Sequence, residues 1–409
     1  FKRLERNEDG ASDVYGKNGA VVVSETRGPH PLTKVFVEAV SEVTGCPPNP
    51  DYNGEVQVGA SVAHVTQKNG WRYNTSRAYL APARHRANLK IVTHAEVARV
   101  VFEGKVAVGV EARIDGELRV LRARREVLLS AGSINSPKLL MLSGIGDPAK
   151  LGQFGIPVVH ANPWVGRNLQ EHPAFQVKAL VNVKTSNMES NVAGYIKNAA
   201  WFLLRGGGPA SHVLPGISFV KSRPELEYPD LEIQFVAFGY DTTEEGLKLL
   251  DRPAITLQPN VNRSRSRGRL ELRSGRWQDP PVIHPNMLGD PYDLEVLVAG
   301  GKISRQILRS RAFAPYLVGE YQPDASVQTD GQWADYVRQW TTPGHHPCGT
   351  CKMGVDDQAV VDPRLRVVGV DRLRVIDSAI IPQITSGNIN AISIAIGEKG
   401  AQMVREDAR

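Results

Sequence analysis

The sequence is poor in cysteine and lacks both a long apolar run and a glycine-rich nucleotide-binding turn. Its 409 residues include three cysteines, Cys46, Cys348 and Cys351, which are too few for a disulfide framework. That count fits a reducing compartment, and we expect a cytoplasmic protein. No apolar stretch approaches the roughly 20 residues that a membrane-spanning helix needs, so we expect no integral membrane segment. The pattern G-x-G-x-x-G, which holds a dinucleotide pyrophosphate after a strand, is also absent.

The net charge is small for a chain of this length. Lys and Arg number 49 against 43 Asp and Glu, which gives a formal net charge of +6. This permits anionic ligands but does not favour a nucleic-acid partner. Hydrophobic residues make up 41% of the chain, enough to bury the core of one large unit or of two closely packed units.

Two long motifs stand in the chain, and shorter ones fall between them. The first is GSINSPKLLMLSGIG at 132–146, and the second joins HHPCGTCKMG at 345–354 to SGNINA at 386–391. GRNLQEH at 166–172 and DPP at 279–281 lie between them. Together these motifs resemble the glucose-methanol-choline (GMC) family of flavin oxidoreductases, in the family's order and over essentially the whole chain. Two long motifs in order are a far stronger signal than one short pattern.

The resemblance implies a mixed α/β fold and a division into domains. A GMC-type FAD-binding domain is expected over 1–173, an antiparallel-sheet substrate-binding domain over 174–330, and a return to the first domain over 331–409. The nearest candidate for a glycine turn, Gly206-Gly207-Gly208, precedes Pro209 and is better interpreted as a helix C-cap and turn. The family's N-terminal nucleotide-binding unit is therefore expected to be missing, which leaves room for a separate N-terminal FAD-binding segment.

Local patterns predict several elements. Apolar spacing predicts a helix from Pro31 to Thr44 that ends at Gly45, and a change to a period of two predicts strands between Leu89 and Leu129. Ser136-Pro137 favours a helix start, with Ser as N-cap and Pro at the first position. Further helices are predicted at 191–205 and 291–308, and strands of the second, antiparallel sheet at 231–238, 254–258 and 269–272.

The expected chemistry is removal of hydride from an alcohol. By the resemblance, His346 heads the family's His-Pro motif and acts as general base, and Asn390 holds the alkoxide oxygen. Considered alone, His346 would more often be a hydrogen-bonded interior residue, and Asn390 the N-cap of a helix that begins at Ala391. His345 is expected to line the substrate pocket or touch the flavin.

The same resemblance implies the cofactor, FAD, and its contacts. Val97 is where the backbone would meet the adenine ring, and Ala131 is a small residue that lets the backbone approach a ligand closely. Asp377 and Ser378 would lie near the pyrophosphate and ribityl chain, although Asp377 serves equally well as a turn-capping carboxylate. With Asn390, the residues Ala391 and Ile392 at a helix N-terminus would face the flavin pyrimidine and stabilise its negative charge.

The motifs are also compatible with two other functions. A hydroxynitrile lyase would use the same histidine without net redox chemistry, and a chain without its nucleotide-binding unit would be an inactive fragment. Cys348 and Cys351 are spaced like metal or redox ligands, but one C-x-x-C lacks the ligands of a zinc site, so we expect two buried thiols and no metal. The expected partners are a small-molecule primary alcohol, oxidised to an aldehyde, and an electron acceptor that the sequence leaves undetermined.

Overall fold

The computed structural model describes residues 1–10, 13–243 and 246–408. The helices of six or more residues are α1 (Leu32–Thr44), α2 (Gly132–Leu142), α3 (Pro148–Gln153), α4 (Val192–Arg205), α5 (Pro291–Leu308), α6 (Asp330–Trp340) and α7 (Asn390–Asp407). Among the helices of the described residues, none is both long and apolar enough to cross a membrane.

The strands of three or more residues are β1 (Glu5–Asn7), β2 (Val21–Glu25), β3 (Gly59–Val62), β4 (Ala95–Glu103), β5 (Val106–Ile114), β6 (Glu117–Arg122), β7 (Val127–Leu129), β8 (Val177–Val181), β9 (Gly216–Val220), β10 (Leu231–Val236), β11 (Tyr240–Thr243), β12 (Gly246–Leu249), β13 (Ala254–Val261), β14 (Arg269–Glu271), β15 (Val282–His284), β16 (Leu317–Gln322) and β17 (Leu373–Val375).

The chain folds into two compact units, each built from three segments. The first unit comprises Phe1–His85, Pro173–Arg263 and Pro291–Thr342, and the second comprises Arg86–His172, Ser264–Asp290 and Pro343–Arg409. This division differs from the expected domains at 1–173, 174–330 and 331–409. The first segment joins the first unit because β3 adds a strand to its sheet. Helix α6 stays there because Trp333 packs edge-on against Phe175, with ring centroids 6.5 Å apart.

The first unit is organised around an antiparallel sheet. Six of its strands run in the order β16-β8-β13-β10-β9-β3, and every neighbouring pair is antiparallel. One face is apolar and carries α1 and α5, and the ring of Phe36 stacks on Phe235 with centroids 5.2 Å apart. This is the antiparallel sheet that the sequence predicted for the middle region.

The opposite face of this sheet is polar and yet largely buried. The register places Lys178, Thr256, Gln234 and Glu232 on that face, each less than 9% exposed. The Lys178 ammonium lies 3.2 Å from an Asp241 carboxylate oxygen, and Gln234 Nε2 donates to Glu232 Oε1 at 2.6 Å. Burial raises the pKa of Glu232 to about 7. Such a face holds polar groups at fixed positions in a low dielectric.

Helix ends in the first unit follow the predicted chemistry. Helix α1 ends at Gly45, whose φ of 70° is left-handed, as a C-cap glycine requires. Helix α4 begins after Asn191, whose side chain accepts a hydrogen bond from the amide of Gly194, and it ends at Gly206 with φ 61°. The interpretation of the glycine run as a helix C-cap is therefore confirmed.

The second unit combines a β-meander with a short parallel pair. Strands β4, β5 and β6 form an antiparallel sheet, and β7 pairs in parallel with β17 so that Val127 faces Leu373. One strand prediction is wrong in its pairing. Strand β14 pairs with β15 in this unit rather than joining the large sheet, and its Leu270 is buried in this unit's core.

The predicted start of α2 is also wrong. The helix begins at Gly132, so Pro137 lies inside it rather than at its first position. A proline there leaves the carbonyl of residue 133 without its usual amide partner. The Thr350 hydroxyl donates to that oxygen, Ser133 O, at 2.6 Å. A side chain distant in sequence thus satisfies a group that local sequence rules treat as lost.

Candidate active site

His346 lies in a loop of the second unit that is fixed by the backbone of His172. The amide of Gly344 donates to the carbonyl of His172 at 2.8 Å. His345, between Gly344 and His346, has a φ of 64° and is exposed. A left-handed conformation at a residue other than glycine stores strain and recurs at functional sites. The turn presents the half-buried ring of His346 on one side and leaves His345 accessible.

Both ring nitrogens of His346 have polar neighbours. Its Nδ1 lies 2.9 Å from Nδ1 of His172, and its Nε2 lies 2.9 Å from Nδ2 of Asn388. The two imidazole rings meet edge to face, with centroids 5.0 Å apart. The second nitrogen of His172, Nε2, lies 3.1 Å from the carbonyl oxygen of Thr385. His346 is therefore held at both ends rather than packed as an inert ring.

A single carboxyl group organises the backbone beneath the two histidines. Glu171 Oε1 accepts hydrogen bonds from the amides of His172 at 2.9 Å and of His346 at 2.7 Å. Burial raises the pKa of Glu171 to about 7, against the lowering effect of those two amides. The group therefore titrates near neutrality, beside a candidate base.

Burial, and secondarily the charge of neighbouring His345, lower the pKa of His346 to about 4. The ring is therefore neutral at physiological pH and can accept a proton, as a general base must. A base of such low pKa has little intrinsic affinity for that proton, so its usefulness depends on groups that stabilise the imidazolium.

Helix α7 begins beside this cluster. Its first residue is Asn390 and its N-cap is Ile389, so the prediction of Asn390 as the N-cap was one residue late. Asn390 and Ala391 are exposed and Ile392 is half-buried. Asn388, not predicted as a site residue, supplies the amide that faces His346 Nε2.

A second cluster forms where the parallel strands β7 and β17 end, and it contains Ala131, Asp377 and Ser378. Asp377 Oδ2 accepts from the amide of Gly132 at 3.0 Å and from Ser136 Oγ at 2.5 Å. Its Oδ1 accepts from the amide of Ala379 at 2.8 Å and caps a short 3-10 helix, Ser378–Ile380. Asp377 is thus a structural strut and cap, and burial raises its pKa.

The two clusters are linked through the backbone. The amide of Gly349 donates to the carbonyl of Ser378 at 3.2 Å, and that of Cys351 donates to Ala379 at 2.8 Å. The structure therefore brings His345, His346, Asp377, Ser378 and Ala131 into one region of the second unit. Val97 lies on β4 of the same unit, where the pairing with β5 shifts register between Val97 and Arg99.

Cys348 and Cys351 are free thiols with fully buried side chains, as predicted. Burial raises the pKa of the Cys348 thiol to about 12 and that of Cys351 well above its usual range. Across the described ranges, no group of three or more His, Cys, Asp or Glu side chains is placed to hold a metal ion.

A cavity of about 360 Å³ lies in the first unit. Its lining includes His30, Lys184, Trp201 and His212, and none of the predicted site residues. The predicted residues of the candidate site are recognised by their mutual geometry.

Three residues of the cluster around His346 were not predicted from the sequence: Glu171, His172 and Asn388. The first two end the motif at 166–172, whose pattern indicates the family's motif order but no role for either residue. A carboxylate and a histidine side by side in a motif were the available signal. Asn388 lies two residues before the predicted Asn390, in the same motif.

Comparison with known proteins agrees with the motifs. Two GMC oxidoreductase family matches cover residues 2–174 and 264–397. An oxygen-dependent choline dehydrogenase from Brucella suis biovar 1 is 40% identical over 410 residues, spanning 99% of this chain and 74% of the relative. The chain belongs to the GMC oxidoreductase family. The family prediction is confirmed, and with it the prediction that the chain is an oxidoreductase.

Solved structures give the same fold for this GMC oxidoreductase. Pyridoxine 4-oxidase from Mesorbium loti superposes with a TM-score of 0.88 at 25% identity, covering 99% of this chain and 76% of that one. A formate oxidase variant from Aspergillus oryzae gives 0.88 at 23% identity, covering 99% and 77%. The predicted α/β architecture with an antiparallel second sheet is confirmed.

Proposed function

We propose that this GMC oxidoreductase uses FAD to oxidise a primary alcohol to an aldehyde, with His346 as the general base. The observation that carries the proposal is the neutral, half-buried ring of His346. Its Nε2 faces the amide of Asn388 at 2.9 Å. A nitrogen that faces a hydrogen-bond donor presents a lone pair, which is what accepts the hydroxyl proton of an alcohol.

The residues of the second unit fit FAD. Parallel strands β7 and β17 end together, and in open α/β sheets ligands bind outside the carboxyl ends of such strands. At that edge Ala131 is exposed, and a Cβ placed on Gly132, whose φ is 81°, would meet nothing within 4 Å. The backbone is therefore open to a ligand there, and the N-terminus of α7 supplies amides suited to negative charge.

The residues that would hold FAD are those the family motifs indicate. They are the backbone at Val97, the strand-end residues Ala131, Asp377 and Ser378, and the start of α7 at Asn390, Ala391 and Ile392. Asp377 would act through the loop that it braces, because its oxygens already accept hydrogen bonds from Gly132, Ser136 and Ala379. When bound, FAD accepts the hydride that leaves the alcohol carbon.

This chain's own part is to orient the alcohol and move its proton. His346 Nε2 takes the hydroxyl proton, while Asn388 and Asn390 are the amides suited to hold the alkoxide oxygen. Exposed His345 would contact the substrate. On this proposal the second unit binds the cofactor, and the polar sheet face with Lys178 and Glu232 belongs to the substrate-binding unit.

Named relatives support an alcohol as substrate. The Brucella suis relative is named for choline and the Mesorbium loti structure for pyridoxine, both of which are alcohols. We therefore propose a small-molecule primary alcohol for this enzyme.

The test is anaerobic reduction of bound FAD by a panel of primary alcohols. The reduction is monitored as loss of the visible flavin absorbance. We expect His346→Ala to retain flavin and to lose at least about 100-fold in reduction rate, the usual contribution of a general base. His94→Asn is the matched control, because His94 is exposed with a left-handed φ of 54° that Asn tolerates. An unchanged rate in His346→Ala would overturn the base assignment. Cyanohydrin cleavage without flavin reduction would instead select the lyase.

A further inference from the structure

The hydrogen-bond chain through the two histidines admits one arrangement of protons when both rings are neutral. The carbonyl oxygen of Thr385 can only accept, so the hydrogen of neutral His172 must reside on Nε2, 3.1 Å away. Nδ1 of His172 is then a lone pair. The 2.9 Å contact between the two Nδ1 atoms needs one hydrogen, and only His346 can supply it.

The same placement of hydrogens fixes the state of the other ring nitrogen of His346, Nε2. With its hydrogen on Nδ1, neutral His346 has a lone pair on Nε2, and that atom faces the Asn388 Nδ2 donor at 2.9 Å. Three contacts, to Thr385, His172 and Asn388, thus agree on one tautomer, and each ring nitrogen opposes a group of the complementary kind.

From this agreement we infer that His172 is a positioning residue that fixes the tautomer of His346, so that Nε2 carries the lone pair that the substrate hydroxyl would take over from Asn388 Nδ2. The inference rests on the proposed function for its catalytic meaning, but the tautomer itself is a property of the chain. The backbone carbonyl of Thr385 accepts at the far end of this hydrogen-bond chain. In the same way, outer hydrogen-bond partners fix the tautomer of catalytic and metal-binding histidines.

The hydrogen bond from His346 to His172 also offsets the low proton affinity of His346. In the oxidation the O–H bond breaks, its proton bonds to His346 Nε2 and its electron pair becomes the second carbonyl bond. The C–H electron pair leaves with the hydrogen as hydride, which FAD would accept when bound. The resulting imidazolium carries its charge partly on Nδ1–H, which points at the lone pair of His172. A stronger hydrogen bond to the charged form than to the neutral form raises proton affinity.

Titratable groups adjoin the pair of histidine rings. Glu171 lies beneath both backbones, and its carboxylate form favours the imidazolium. Exposed His345, when protonated, opposes it. Thr385 and Asn388, from the segment packed against the rings, carry no charge. A purely structural His172 would brace this loop without selecting a tautomer.

The experiment reads the tautomer directly. Protein labelled with ¹⁵N at histidine is saturated with FAD, and long-range ¹H–¹⁵N correlations are recorded near neutral pH, with His346→Ala assigning the ring. We expect a protonated Nδ1 and an unprotonated Nε2 for His346. The opposite tautomer in the wild-type protein would overturn the inference without any variant of His172.

Two variants then separate tautomer control from packing. His172→Leu keeps bulk but removes the acceptor, and should mix the tautomers of His346 and lower the flavin reduction rate about 10–100-fold with little change in KM. His172→Asn places an oxygen near the former Nδ1 and should retain the tautomer and most of the rate. Loss of rate in both, with the tautomer unchanged, would show a structural role and overturn the inference.

The outcomes for the two proposals are distinct. If the tautomer responds to His172 as expected but no primary alcohol reduces the flavin, the proposed function fails and the tautomer assignment stands. If His346→Ala abolishes oxidation while His172→Leu leaves both tautomer and rate unchanged, the proposed function stands and the role of His172 is overturned.

Discussion

The carboxyl group of Glu171 and the ring of His346 have pKa values that burial moves in opposite directions within one site. The pKa of Glu171 rises to about 7 and that of His346 falls to about 4, from ordinary values of 4.5 and 6.5. Folded Glu171 holds a proton that the unfolded chain releases, so its contribution to stability falls as pH rises from about 4.5 to about 7. His346 stays neutral in the folded protein over a pH range in which the unfolded chain binds a proton there. Its contribution to the free energy of unfolding therefore rises from about pH 4 to about pH 6.5.

We therefore predict that Glu171→Gln, which cannot titrate, leaves the contribution of His346 to the pH dependence of stability unopposed. Gln can still accept both amides through its oxygen, so the loop should fold. The free energy of unfolding should then increase from about pH 4.5 to pH 6.5 by about 2–3 kcal/mol more than in the wild-type protein. Urea denaturation across that range measures it. Glu38→Gln, at an exposed position of α1, is the control, and a Glu171→Gln profile that matches it would contradict the assigned shift.

Thr350→Val should destabilise the second unit. The change keeps shape but leaves the carbonyl of Ser133 without the hydroxyl that replaces the missing amide of Pro137. Thr350 is fully buried, so water cannot substitute. We expect a loss of about 1–3 kcal/mol in urea denaturation. Thr93→Val, at an exposed site, should stay within about 0.5 kcal/mol. Equal stabilities for the two variants would mean that Ser133 O finds another donor.

Two glycines of α7, three residues apart, should respond oppositely to alanine. A Cβ on Gly397 would meet nothing within 4 Å, so Gly397→Ala should stabilise the helix by about 0.5–1 kcal/mol. A Cβ on Gly400 would approach Ile376 Cγ2 to 2.4 Å, so Gly400→Ala should cost about 1–3 kcal/mol through overpacking. Thermal unfolding of both variants checks the pair. Destabilisation by Gly397→Ala would indicate that its open side is occupied in solution.

Thiol reactivity should separate the three cysteines. Cys348 and Cys351 are fully buried with raised pKa values, so they should resist an aqueous maleimide in the folded protein. Cys46, which is partly exposed, should react. Mass spectrometry should show one modified cysteine in buffer and three in urea, with Cys46→Ser as the control. Rapid labelling of Cys348 in buffer would contradict its burial.

Much of the fold followed from local pattern. Helix α5 was predicted over Pro291–Leu308, the bounds observed, because its apolar spacing and flanking breaks are local. Helix α1 ended at the predicted glycine for the same reason. The start of α2 was mispredicted because the partner that tolerates Pro137 comes from Thr350, which no local rule can foresee.

The site was predicted in part. The family motifs named His346, Asp377 and Ser378, and the structure places them in one region of the second unit. It could not be foreseen that the ring of His346 is held by His172 and Asn388, because hydrogen bonds between distant side chains depend on the path of the backbone. The catalytic roles of His346 and Asn390 stay predictions, as do the contacts of Val97, Ala391 and Ile392 with the cofactor.

The pairing of β7 with β17 bears on how the protein is made. Beside that pair, Ser130 Oγ donates to the carbonyl of Ile376 across 246 residues of sequence. A ribosome delivers one half of this pairing long before the other, and at ~5–20 residues per second the delay is tens of seconds or less. Glu171 and His172 must therefore await His346, so the candidate catalytic cluster can form only after both parts of the chain have been synthesised. Until then β7 lacks the strand with which it pairs in the folded protein, and an unpaired strand edge is a point at which a nascent chain can aggregate.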